Sequence, residues 1–197
     1  MTIESIQIIE ALRFGLKPFN EMDRFDEKSA IYAIAFNGEN FPFDSAMEKI
    51  SKGDIIYIGK TQSGLNKRIV KTHFKDGQTG SSTLRRSLGA VLKDHLHLKP
   101  TPRTLKECRI RDYKFIIESE KLLTEWMINN LSISFVPFSR GKRMLKEIEA
   151  EIIYIVNPIL NLNQNPNNKS RSIIRELREK CRLVAHAQAF SDSSLNK

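Results

Sequence analysis

The sequence predicts an α+β domain built on a small, mostly antiparallel, three-stranded sheet flanked by helices. Three observations carry that prediction. Runs of strand-forming residues at about 30–36, 54–58 and 133–138 sit between polar breakers. The stretches between and around them repeat their apolar residues every three or four positions, the helical period. The resulting order (strand, strand, helix, helix, then strand and helix) suits a compact antiparallel sheet better than a parallel one. With 197 residues, 40% of them hydrophobic, the chain can bury one domain and carry extensions.

The first helix is predicted at about 2–14, followed by a turn-rich stretch at 17–27. The strand at 30–36 rests on Ile31, Tyr32, Ile34 and Phe36. A connection holding Gly, Asn and Pro follows, with a helical turn at 43–50, and leads to the second strand, which pairs with the first. Residues 59–64 read as a loop. A short helix at 65–74 then places Leu65, Ile69 and His73 at successive spacings of four. The cluster Ser81-Ser82-Thr83 caps the next helix, which runs to about residue 96 with Leu84, Leu88, Val91 and Leu92 as its stripe. Residues 99–114 carry six basic and two acidic side chains, with Pro100 and Pro102 marking a loop. A short strand at 115–117 and a helix at 118–131 around Leu122, Leu123, Trp126 and Met127 come next, before the strand at 133–138. The helix at 142–156 is stopped by Asn157-Pro158. Past Asn161 the chain turns polar, then forms a basic helix at about 172–189 and a frayed end. This organisation divides into an N-terminal helical extension (1–28), a central domain (29–164) with an insertion at about 99–131, and a basic C-terminal helix and tail (165–197).

Charge narrows the function classes. The chain has 32 Lys and Arg against 23 Asp and Glu, a formal +9, so its field attracts nucleic acid or another anionic surface. Its longest apolar runs are far short of the roughly 20 residues a spanning helix needs. The first 16 residues carry Glu4 and Glu10 and lack the basic start of a secretory signal. Cys108 and Cys181 stand alone, which argues against a disulfide framework or a cysteine zinc site. A soluble, cytoplasmic protein with no membrane partner is the expectation.

The carboxylate of Glu149 stands out from residue patterning alone. It lies within the stripe Leu145, Ile148, Ile152, Ile153 and Val156, four residues from both Leu145 and Ile153, whereas Glu147 and Glu151 point away. An ionised carboxylate on a core-facing surface is costly unless paired, hydrogen-bonded or bound to a cation. A hard divalent cation satisfies it, and so does a boundary position reaching water or an arginine. Tyr32 and Tyr57, on neighbouring strands, read equally as packing residues or as two phenols converging on a cleft. Arg68 offers a planar fork of donors suited to phosphate. His73 lies on an apolar stripe, where a hydrogen-bonded core imidazole is the commoner case. Lys60, Arg85, Arg86, the basic middle loop and the tail from residue 169 to 182 are candidate phosphate contacts. His95 and His97 fall about 200° apart on a helix and make no metal pair.

The segments Ala30-Ile31-Tyr32 and Tyr57-Ile58-Gly59, followed in order by Arg68, His73 and Glu149, resemble the GIY-YIG nuclease family over about residues 30–161. Glu149 is followed by Ile152, Ile153, Pro158 and Asn161 at the family's third, fourth, ninth and twelfth offsets. The resemblance implies a metal-dependent endonuclease acting on DNA, with Glu149 binding Mg²⁺ or Mn²⁺ and Arg68 clamping the phosphate. It further implies that Tyr32, Tyr57 and His73 orient and deprotonate water, while Lys60, Arg85, Arg86 and Asn161 serve nucleic-acid binding. Two departures are visible. Ala30 stands where the family has glycine, and His73 is five residues after Arg68 instead of four, a rotation of about 100° on a regular helix. The identity of the general base is therefore open. The competing reading is a non-catalytic DNA-binding or assembly module on the same fold.

Overall fold

The computed structural model describes residues 2–22, 25–42, 47–104 and 113–194, with side chains described up to residue 187. Its centre is a four-stranded antiparallel sheet in the order β1-β6-β2-β3, formed by β1 (Lys17–Pro18), β2 (Ala30–Phe36), β3 (Ile55–Thr61) and β6 (Leu131–Pro137). The three predicted strands are its body. The two-residue β1, which pairs Lys17 with Ile133, makes the fourth and falls where the sequence predicts only turns. A separate hairpin joins β4 (Pro100–Pro102) to β5 (Tyr113–Phe115). This corrects the loop predicted at Pro100 and Pro102, since a two-strand ribbon leaves each strand an edge where proline's missing donor costs nothing.

Every residue of β2 is buried, because helices cover both faces of the sheet. On one face Ala30, Tyr32, Ile34 and Phe36 enter a core shared with α3 (Thr83–Leu92), α4 (Ile117–Asn130) and α6 (Arg171–Ser194). On the other, Ile31 and Ala33 meet Ile8, Ile9 and Leu12 of α1 (Ile3–Phe14) and Leu145, Ile148, Ile152 and Ile153 of α5 (Lys142–Val156). Period-two alternation in AIYAIAF thus feeds two cores at once. Helix α1 starts at Thr2, whose hydroxyl accepts from the Ser5 N–H at 3.2 Å. Helix α5 ends on Asn157 in the left-handed region (φ 51°), a conformation asparagine tolerates, immediately before Pro158.

The basic C-terminal helix is α6, and it is part of the core: Ile174, Cys181 and Ala185 are buried against the first face. Within α4, Leu123 and Met127 are buried but Leu122 is 46% exposed. The helical turn predicted at 43–50 lies partly outside the described residues, and 47–50 are irregular. Residues 105–112 of the expected insertion, including Cys108, also lie outside them. No helix among the described residues is long and apolar enough to cross a membrane.

Candidate active site

Register brings the tyrosines together. Tyr32 pairs across the sheet with Gly59, and Ile34 pairs with Tyr57. The register slips by one residue between Ile34 and Ala35, leaving Ile56 as the extra residue of a β-bulge. Tyr32 and Tyr57 are therefore diagonal neighbours on one face, with ring centroids 6.3 Å apart. Gly59 lies inside β3 and not in the predicted loop. A Cβ there would overlap Tyr32 Cζ and Oη, so the glycine of the second motif makes room for the tyrosine of the first. Ala30, in extended backbone and fully buried, needs no glycine.

The chain after β3 turns into α2 (Leu65–Arg68) and then into a π-helical turn, Ile69–His73, closed by the Phe74 N–H donating to Ile69 O at 2.9 Å. A π turn holds one residue more than an α turn, which absorbs the extra position between Arg68 and His73. His73 consequently stays on the face of Arg68 instead of rotating away. Its Nε2 lies 2.8 Å from Tyr32 Oη, while Arg68 Nε donates to the same oxygen at 3.1 Å. The other imidazole nitrogen, Nδ1, lies 2.7 Å from Ser82 Oγ, which also accepts from the Arg85 N–H at the start of α3. Tyr57 Oη lies 3.2 Å from Thr83 Oγ1.

These groups differ in access. Tyr32 and His73 are fully buried, Arg68 is half-buried, and Tyr57 (7% exposed) lines a cavity of about 170 Å³ together with Thr83, Ser87, Glu149 and Arg178. Burial, then the nearby Tyr57, raises the Tyr32 phenol far above its usual range, with Arg68 opposing. Burial and the charges of Arg68 and Arg85 hold His73 well below the ordinary imidazole range. Both are neutral near pH 7. Burial works against the charge of Arg68, but the Tyr32 and Tyr57 phenols outweigh it and keep the guanidinium protonated.

Glu149 comes from α5 on the opposite face and reaches the cleft around the exposed edge of β3, where its Oε2 pairs with Lys60 Nζ. Lys60 is thus already engaged by a carboxylate. Among the described residues no three His, Cys, Asp or Glu side chains gather as a metal cluster. A single carboxylate nevertheless fits Mg²⁺, which takes one or two carboxylates and completes its shell with water and substrate phosphate oxygens. The lysine ammonium beside Glu149 shows that a cation is accommodated there.

Two of the candidate nucleic-acid contacts are engaged by other partners. Arg85 is fully buried; its Nη2 donates to Glu120 Oε2 at 2.6 Å and its Nη1 to Thr124 Oγ1 and the His73 carbonyl at 2.9 and 3.1 Å. It braces the core and cannot reach a phosphate. Asn161 is 8% exposed, and its Oδ1 accepts from the Ile58 N–H while its Nδ2 donates to Ile58 O, both at 2.8 Å. It replaces a missing strand along the edge of β3. Arg86, one position on, is half-buried and lines an adjoining groove. The sequence marks Ser82 and Thr83 only as part of a helix cap, and nothing local to Glu120 announces a partner 35 positions away.

The family model of the GIY-YIG catalytic domain matches residues 30–182, well over half of the chain. The protein belongs to that family. The match includes both tyrosine segments, the π turn, Glu149 and the first half of α6. No curated protein and no solved structure gives a significant match.

Proposed function

We propose that the protein is a metal-dependent endonuclease that hydrolyses DNA phosphodiester bonds at the cleft between Tyr57, Arg68 and Glu149. The observation that carries this reading is the chain Arg68–Tyr32–His73–Ser82. This hydrogen-bonded column fixes one half-buried guanidinium next to Tyr57, which lines the cleft that holds Glu149. A guanidinium held in one orientation in this way suits a phosphate clamp.

In this reading Arg68 holds the scissile phosphate and stabilises the charge that develops on it. Tyr57, at the wall of the cleft, orients the attacking water through its hydroxyl. Tyr32 and His73 are positioning residues, since the Tyr32 oxygen is enclosed by Arg68 and His73 and meets no solvent. Glu149 holds Mg²⁺ or Mn²⁺, which supplies Lewis-acid stabilisation to the departing oxygen when bound. Metal binding at Glu149 would weaken its ion pair with Lys60. The overall charge of +9 favours the DNA partner. Activity in the cytoplasm is part of the same proposal.

The test is cleavage of supercoiled plasmid and branched DNA by wild type and Glu149→Gln, with EDTA, Mg²⁺ or Mn²⁺. Metal-dependent nicking reduced by about 10²-fold or more in the variant supports the assignment. DNA binding without cleavage under every metal condition would instead support a non-catalytic DNA-binding module.

A further inference from the structure

Helix α6 carries four arginines, Arg171, Arg175, Arg178 and Arg182, at spacings of four, three and four. On an α-helix these positions form one row, beside the buried stripe of Ile174, Cys181 and Ala185. Three of them, with Arg86 of α3 opposite, line a groove of about 340 Å³. This groove and the cleft of Glu149 and Tyr57 share Leu162, Asn163 and Arg178, so the two form one continuous trough.

We propose that this trough carries the phosphate backbone of the DNA strand flanking the scissile bond, with Arg175 and Arg178 as its phosphate contacts. The proposal rests on the reading above only in placing the reaction at Glu149. Charge distribution favours a ligand over a merely solvated helix face. Glu176 of α6 pairs with Lys180 at 2.9 Å, and neither residue lines the groove. Glu179 engages Arg182, leaving Arg175 exposed with no carboxylate partner among the described residues. The polar lining continues inward. Ser87, 1% exposed, lines the cleft and its hydroxyl has no hydrogen-bond partner among the described residues. Length agrees as well: the seven helical steps from Arg175 to Arg182 span about 10 Å, roughly three phosphate steps measured along the axis of a duplex. Guanidinium groups hold such phosphates bidentately without reading the base sequence.

Fluorescence anisotropy with a labelled DNA duplex, in EDTA and across about 50 to 200 mM salt, measures this without cleavage. Arg175→Gln and Arg178→Gln are each expected to weaken binding by about three- to tenfold and to lower the salt slope by about one. Arg175→Lys should recover most of the loss. Arg140→Gln removes the same charge beside Glu4 of α1, on the opposite side of the sheet, and should leave affinity unchanged. Circular dichroism melts confirm that each variant is folded. Wild-type affinity in both Arg175→Gln and Arg178→Gln, or an equal loss in Arg140→Gln, would overturn the proposal. Loss of binding in the groove variants, with no cleavage by wild type in Mg²⁺ or Mn²⁺, would leave the groove standing as a backbone site and remove the nuclease reading alone.

Discussion

Gly59 shows how one missing atom organises the cleft. Replacing it with alanine sets a Cβ against the Tyr32 ring, and the ring is confined by Arg68 and His73. Overpacking of this kind costs about 1–3 kcal/mol. Gly59→Ala is expected to lower the melting temperature and, by displacing Tyr32 from Arg68, to abolish most cleavage; a thermal melt checks the first and plasmid nicking on the soluble fraction the second. Tyr57→Phe and Tyr32→Phe separate the two phenols. The first removes a hydroxyl facing the cleft and should lower kcat with little change in KM. The second loosens Arg68 and should raise KM as well. Equal effects on both parameters in the two variants would contradict the division of roles. His73 carries the pH signature. Its folded form resists protonation, so as pH falls through about 6.5 the unfolded chain takes up the proton first. Stability is then lost downward at up to about 1.4 kcal/mol per pH unit, and is unaffected by His73 above that range. Urea unfolding from pH 7.5 to 5 should show this extra slope in wild type and lack it in His73→Gln.

At the scale of the element, the π turn is the device that reconciles the spacing with the site. The sequence spaces Arg68 and His73 five apart, and a regular helix would turn the imidazole out of reach of Tyr32. One wide turn returns it. Deleting Thr72, whose side chain only donates to the Lys67 carbonyl on the exposed side, restores an α turn with the histidine four residues after Arg68. That deletion should keep cleavage within about tenfold of wild type, because the same side chain again faces Tyr32. Inserting an alanine after Thr72 should not. The N-terminus of α3 acts on the same cluster, since Ser82 caps the helix and meets His73 with one oxygen. Ser82→Ala is expected to cost about 1 kcal/mol through the cap and to release the imidazole as well.

Across the whole molecule, two buried features join the sheet to its helices. Arg85 and Glu120 form an ion pair with side chains 0% and 2% exposed, tied to the π turn through the His73 carbonyl and to β5 through the Phe115 N–H. Removing one partner leaves a buried charge without its counter-ion, a loss of about 3–5 kcal/mol. Glu120→Ala should therefore unfold at markedly lower urea than wild type, whereas Lys180→Ala on the surface of α6 should not. Helix α6 is the second feature. Truncation after residue 168 strips Ile174, Cys181 and Ala185 from the core and uncovers the sides of α3, β4 and β5 on which α6 packs. A chain shortened in this way is expected to lose cooperative thermal unfolding, a result that treating the basic segment as a detachable tail would not anticipate.

The sequence by itself determined the three main strands, the long helices and the anomaly of an inward carboxylate at Glu149, all of which follow from periodicity, a local property of the chain. The order of the five candidate residues came from the family resemblance. The sequence could not decide which basic residue lines a groove and which is buried. Arg85 and Arg86 are adjacent and chemically identical, yet a helix turns them about 100° apart and only the docking of α4 puts Glu120 against the first. Asn161 was likewise legible as part of a motif but not as a support for β3, because its partner is a backbone group 103 positions earlier. The departure at His73 was resolved by a π turn, whose wider hydrogen bond leaves no mark in a pattern of apolar spacings. Tertiary structure decided these points because burial, charge pairing and strand register depend on what packs against a residue, and that neighbour is set by the fold of the whole chain.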